Sequence, residues 1–136
     1  MRQRLVSASL AAVFVVAAAC GSVPSLGPTP AGEGIIFYLH ADFSGPSQAL
    51  NVDVPNLGKV QGSCSSGGEG EMPHWGDCIS SVKVMPGWRA ILYRDENYKG
   101  ASVVVDADIP NLRAVRGPCD DDSFNDCVSS IRIARK

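Results

Sequence analysis

Two six-residue stretches concentrate the oxygen chemistry of the chain. They are Asn125-Asp126-Cys127-Val128-Ser129-Ser130 and a weaker echo, Gly76-Asp77-Cys78-Ile79-Ser80-Ser81. Each places an acid, two spacer residues and two serines ahead of an alternating run, Ser130-Ile131-Arg132-Ile133 or Ser81-Val82-Lys83-Val84. Amide, carboxylate and hydroxyl oxygens are hard ligands, the donors a calcium ion prefers. Cysteines form the second chemical set. Cys64, Cys78, Cys119 and Cys127 follow Cys20, and in an exported chain they favour disulfides. No C-x-x-C pair is present, and His40 and His74 lack partners at zinc-site spacing, which argues against a zinc centre. Neither histidine lies in a repeated polar setting, and no nucleophile with its base assembles, so the chain reads as a non-enzyme.

The elements that position these stretches repeat. A shift of 55 residues places Tyr38 on Tyr93, Phe43 on Tyr98, Gly45 on Gly100, Asp53 on Asp108 and Pro55-Asn56-Leu57 on Pro110-Asn111-Leu112. It also places Gly62 on Gly117 and Cys64 on Cys119. Six extra residues then change the shift to 49, which sets Trp75-Gly76-Asp77-Cys78 on Phe124-Asn125-Asp126-Cys127. Units of about 50 residues cannot bury a core alone, so the two should pack as one domain. In the second unit, strands are expected at Arg89 to Arg94, at Ser102 to Asp106, weakly at Ala114 to Arg116, and at Val128 to Ala134. Pro-Asn pairs mark turns, and no segment keeps a helical period, so the class is all-β. Trp75 aligns with Phe124 and should be core, and Trp88 should pack where the units meet. Asp120-Asp121-Asp122 reads as a solvated loop, and the insertion from Ser65 to Trp75 as a surface loop. The repeat symmetry favours Cys64–Cys78 and Cys119–Cys127 among the three pairings that four cysteines allow.

Ahead of the repeat stands a leader. Arg2 and Arg4 precede an apolar run from Leu5 to Ala19 that ends in Ala17-Ala18-Ala19-Cys20. This is the pattern of a secretory signal, too short for a membrane span of about 20 residues. Small residues before a Cys resemble a bacterial lipobox, which implies cleavage after Ala19 and acylation of Cys20. Residues 20–34 are rich in Pro, Gly and Ser and read as a flexible tether. The full chain carries a formal net charge of −2. Without the two leader arginines, 10 basic residues face 14 acidic ones. Such a balance disfavours nucleic acid and leaves the lipid anchor as the only membrane contact.

Tyr38, Phe43 and Gly45, with Tyr93, Tyr98 and Gly100, each give an aromatic, an aromatic five residues later and a glycine two further on. Together with the hexad ending Ser129-Ser130, this pattern resembles the βγ-crystallin family from Ile35 to Arg135. The resemblance implies a two-sheet sandwich of two Greek keys, residues 35–85 and 88–134, in a domain spanning 35–136. It implies that Ser81 and Ser130 hydrogen-bond the folded hairpins. It also implies two calcium sites at one end, each joining the hexad of one unit to the hairpin turn of the other, near Leu39–His40 or Arg94–Asp95. The side-chain ligands would be Asp126 and Ser129 at one site and Asp77 and Ser80 at the other, with Asn125 ligating or bracing. Gly76 stands where the pattern wants Asn or Asp, so one good site and one weaker site are expected.

The chain is therefore expected to be exported, as a cell-envelope lipoprotein or a secreted protein, and to bind calcium in a structural or surface-interaction role. The alternative is a secreted proteinase inhibitor of the same fold, with the loop from Ser65 to Trp75, tied at its ends by Cys64–Cys78, offered to a protease.

Overall fold

The computed structural model describes residue 26 and residues 29–64 and 70–136. The leader expected at 1–19, the acylated Cys20, part of the tether and the start of the long insertion lie outside the described residues. Eight strands follow in order: β1 Ile35–His40, β2 Ser44–Leu50, β3 Gln61–Cys64, β4 Ser81–Val84, β5 Trp88–Asp95, β6 Lys99–Val105, β7 Arg116–Cys119 and β8 Ser130–Arg135. Six of them build two three-stranded antiparallel sheets, ordered β2-β1-β4 and β6-β5-β8, while β3 and β7 make only isolated bridges, to His74 and to Ser123. The period-2 pattern decides which face each strand turns inward. Ile35 and Phe37 of β1 and Ala90 and Leu92 of β5 are buried, and Trp75, Ile79, Leu112, Phe124 and Ile131 complete the core between the sheets. Trp75 meets Phe37 edge-on with ring centroids 4.9 Å apart. Trp88 is buried under the Arg135 guanidinium, which stacks on its ring at 4.4 Å.

The units exchange backbone. Val54, which follows β2, pairs with Ile131 of β8 through two hydrogen bonds of 2.8 and 3.0 Å. Ile109, its repeat equivalent, pairs with Val82 of β4 at 2.8 and 3.0 Å. The preceding acids extend this exchange. Asp53 Oδ1 accepts from the Ile133 N–H and Asp108 Oδ1 from the Val84 N–H, both at 2.8 Å. Each unit thus completes the other's sheet, as expected for units too small to stand alone.

The third strand differs from expectation. Residues Leu112–Ala114 form a 3-10 turn, closed by the Val115 N–H donating to the Leu112 carbonyl, and β7 begins only at Arg116. The segment expected as a free tether also contributes to the fold. Leu26 packs against the core edge, and Glu33 accepts from the Asn51 amide at 3.1 Å.

Gly62 and Gly117 show why the repeat keeps glycine there. A Cβ on Gly62 would stand 2.5 Å from Trp75, and one on Gly117 would stand 2.5 Å from Phe124. Both disulfides form as the symmetry suggests, Cys64–Cys78 and Cys119–Cys127, with Cα separations of 6.3 and 6.2 Å.

Candidate functional site

Each unit folds its first hairpin over the sheet through two consecutive left-handed residues, Asp42-Phe43 and Asn97-Tyr98. Gly45 and Gly100 follow with φ of +76° and +74°, a conformation glycine adopts without steric cost. The aromatics of each fold meet edge-on, Tyr38 with Phe43 at 5.8 Å and Tyr93 with Tyr98 at 5.9 Å. The last hexad serine locks the fold. Ser81 Oγ donates to the His40 carbonyl at 2.6 Å and accepts from the Phe43 N–H at 3.1 Å. Ser130 Oγ does the same with the Asp95 carbonyl and the Tyr98 N–H, at 2.6 and 3.0 Å. This is the role the resemblance implied for the two serines.

The serine before each lock is thereby fixed beside its own hairpin turn. The Ser80 N–H donates to the Tyr38 carbonyl at 3.0 Å, and the Ser129 N–H to the Tyr93 carbonyl at 2.9 Å. The two hexads also run past each other. The Asp126 N–H donates to the Ile79 carbonyl and the Asp77 N–H to the Val128 carbonyl, both at 3.2 Å. Asp77 and Asp126 are both left-handed, with φ of 55° and 52°.

As a result, each acid meets the serine of the other unit. Ser80 Oγ donates to Asp126 Oδ1 at 3.2 Å, and Ser129 Oγ to Asp77 Oδ1 at 3.0 Å. The hydrogen bonds thus pair each acid across the units, whereas the resemblance grouped Asp126 with Ser129 and Asp77 with Ser80 as ion ligands. The backbone bond to the residue just before the opposite serine carries each acid across the unit boundary. Asp126, Asn125 and Ser80 share a cleft with Leu39, His40 and Ala41, while Asp77 and Ser129 share one with Arg94 and Asp95.

Asn125 braces the loop, its Nδ2 donating to Asp126 Oδ2 at 2.6 Å, and its backbone N–H donates to Ser123 Oγ at 3.2 Å. In the first unit His74 stands in the place of Ser123, and His74 Nδ1 accepts from the Gly76 N–H at 3.1 Å. His74 therefore does occupy a repeated polar setting, contrary to expectation. The shift of 49 that aligns Trp75 with Phe124 already placed it there. Gly76 also has a local reason: a Cβ would lie 3.1 Å from the Cα and N of Gly58. The sequence reading took Arg94 only as part of a turn offering a carbonyl, and it missed Arg113. Both line a third cleft that contains Asp77 and Asp126 together.

The donor chemistry suits a hard cation. Two oxygens about 3 Å apart can both lie about 2.4 Å from one calcium ion. Among the described residues, no three His, Cys, Asp or Glu side chains converge. A cation here would depend on one carboxylate, one hydroxyl and backbone carbonyls.

Residues 37–105 match the model of peptidase inhibitor family I36. The chain is 28% identical over 112 residues to spherulin-3A of Physarum polycephalum, covering 77% of this chain and 85% of that relative. A βγ-crystallin domain from Flavobacterium johnsoniae superposes with a TM-score of 0.55 at 30% identity, over 75% of this chain and 94% of that one. The N-terminal domain of Protein S superposes with a TM-score of 0.55 at 26% identity, over 75% and 96%.

Proposed function

The chain belongs to the βγ-crystallin family and to peptidase inhibitor family I36, and from that membership we propose that it is a calcium-binding module with a structural or surface-interaction role. The observation that carries this reading is the pair of crossed contacts, Ser80 with Asp126 and Ser129 with Asp77. A polar loop cap needs no oxygens from the opposite unit, whereas a cation that bridges the units does. Asn125, Asp126 and Ser80 would serve one ion, with carbonyls from the Leu39–Ala41 turn. Asp77 and Ser129 would serve the second, with the Arg94–Asp95 turn. Bound calcium would supply positive charge that ties the two units together. Asn125 gives the Asp126 site the better-braced carboxylate, so that site should be the stronger.

Calorimetric titration tests this. Calcium should give heat with a dissociation constant near 10⁻⁴ to 10⁻³ M, as in extracellular modules, and magnesium, which keeps its waters, should give little. No heat at millimolar calcium would refute it.

A second reading, proteinase inhibition, is favoured by the family I36 match. The disulfide from Cys64 to Cys78 would hold the ends of an inhibitory loop in place. Inhibition of a panel of secreted metalloproteases tests it, and loss of inhibition on Met72→Ala or on reduction would assign the loop. Both readings place the protein outside the cell, released or anchored through an acylated Cys20. Mass spectrometry of native material should find that acyl modification, and an unmodified N-terminus at Cys20 would exclude the anchor.

A further inference from the structure

We propose that Arg94 is an internal competitor that holds down cation binding at the Asp77–Ser129 site, an inference that rests on the calcium reading above. The two sites are related by the repeat, and the shift of 55 places Arg94 where the first unit has Leu39. One site thus carries a guanidinium on its rim at a position where the other carries an aliphatic side chain.

The backbone of Arg94 is held on both sides. The Tyr93 carbonyl accepts from the Ser129 N–H at 2.9 Å, and the Asp95 carbonyl accepts from Ser130 Oγ at 2.6 Å. From that fixed point the side chain lines the cleft containing Asp77, Asp95 and Ser129, and also the cleft shared by Asp77 and Asp126. Its Nη1 stands 3.7 Å from Asp95 Oδ1. The guanidinium therefore pairs with an acid that lines this cleft beside the Asp77 carboxylate, and it repels an approaching divalent ion. Arginine stays charged throughout the physiological range, so this opposition is constant and does not depend on pH. The Asp126–Ser80 site also has an arginine nearby, but Arg113 forms a closer ion pair with Asp121 at 3.0 Å. Asp121, unlike Asp95, lies outside the cleft of the site it neighbours, so the Arg113 charge is drawn away from that cleft. The weaker site is weaker, then, both because Gly76 lacks a side chain and because Arg94 sets a positive charge on its rim.

The test exchanges the repeat-equivalent residues. In the Asp126→Ala background, where the Asp77–Ser129 site is the one left to titrate, adding Arg94→Leu should raise calcium affinity about fivefold at low salt. The gain should shrink as the Debye length falls from about 10 Å at 0.1 M salt to about 3 Å at 1 M. Arg94→Lys, which keeps the charge, should leave affinity near the parent value. Leu39→Arg in the otherwise native protein should weaken the stronger binding step. The thermal midpoint at fixed calcium gives a second readout and should move in the same direction as affinity. Calcium binding that is equal with and without Arg94 would overturn the inference and leave the calcium reading intact. A gain that survives high salt, or that Arg94→Lys reproduces, would also overturn it. Absence of binding in the native protein and in every variant would remove both readings together.

Discussion

The Ser80 hydroxyl donates to the Asp126 carboxylate across the boundary between the two repeats, at 3.2 Å and over 46 residues of chain. Ser80→Ala and Asp126→Ala should therefore damage the same calcium step, and together they should cost less than the sum of the singles. Residues that share one interaction are not additive, whereas distant ones are. Ser129→Ala combined with Asp126→Ala should be additive. Titrations of the three singles and the two doubles measure this. Non-additivity between Asp126 and Ser129 would contradict the crossed geometry.

Ser81 and Ser130 are fully buried, and each hydroxyl satisfies both a carbonyl and an N–H of its folded hairpin. Ser81→Ala or Ser130→Ala should destabilise the domain by about 1–3 kcal/mol, the cost of leaving such groups unpaired. Denaturant unfolding reads this directly. A loss below about 0.5 kcal/mol would mean that water replaces the hydroxyl.

Cys78 and Cys127 immediately follow the site acids Asp77 and Asp126, so each disulfide is fastened to a hexad. Breaking Cys64–Cys78, which spans a separation of 14 residues, should cost about 3 kcal/mol in the chain-entropy model. Reduction should also weaken calcium binding, since both acids would lose their fixed neighbours. Titration of reduced but still folded protein, checked by circular dichroism, tests the coupling.

Tyr98 holds its phenol proton above the usual tyrosine range, first because of burial and then because of the Asp53 carboxylate. The folded state therefore keeps this proton more tightly than the unfolded state does. The resulting stability is intact below the ordinary tyrosine pKa of about 10 and is lost as pH rises through the higher folded value. Tyr98→Phe should flatten the alkaline end of a stability-against-pH curve. An unchanged slope would mean that the loss arises elsewhere.

Much of this was legible in the sequence, and what was not has physical causes. The repeat favoured both disulfide pairings and the burial of Trp75, because equivalent residues in a duplicated fold meet equivalent neighbours, while the family resemblance implied the locking roles of Ser81 and Ser130. The third strand was misplaced because Val115 is apolar and β-branched yet closes a 3-10 turn, a choice made by one local hydrogen bond. The exchange of Val54 and Ile109 between sheets leaves no mark in either segment, since it depends on pairings far along the chain. The site residues were found by type, but their grouping was not. The resemblance grouped the acid and the serine of one hexad, while the backbone bonds from Asp126 to Ile79 and from Asp77 to Val128 send each acid to the other unit. The Arg94 side chain went unnoticed, although its turn was placed at the site, because a charged residue near a turn has no distinctive pattern.

The most direct test is the thermal midpoint of the oxidised domain measured against calcium. An ion held only by the folded form stabilises by mass action, by about 2.7 kcal/mol when free calcium is 100 times the dissociation constant. The midpoint should climb with calcium in the native protein, climb less in Asp126→Ala than in Asp77→Ala, and respond little to magnesium. A midpoint that stays flat through millimolar calcium would show that the crossed serine–aspartate pairs are loop braces, and protease inhibition would then be the reading to pursue.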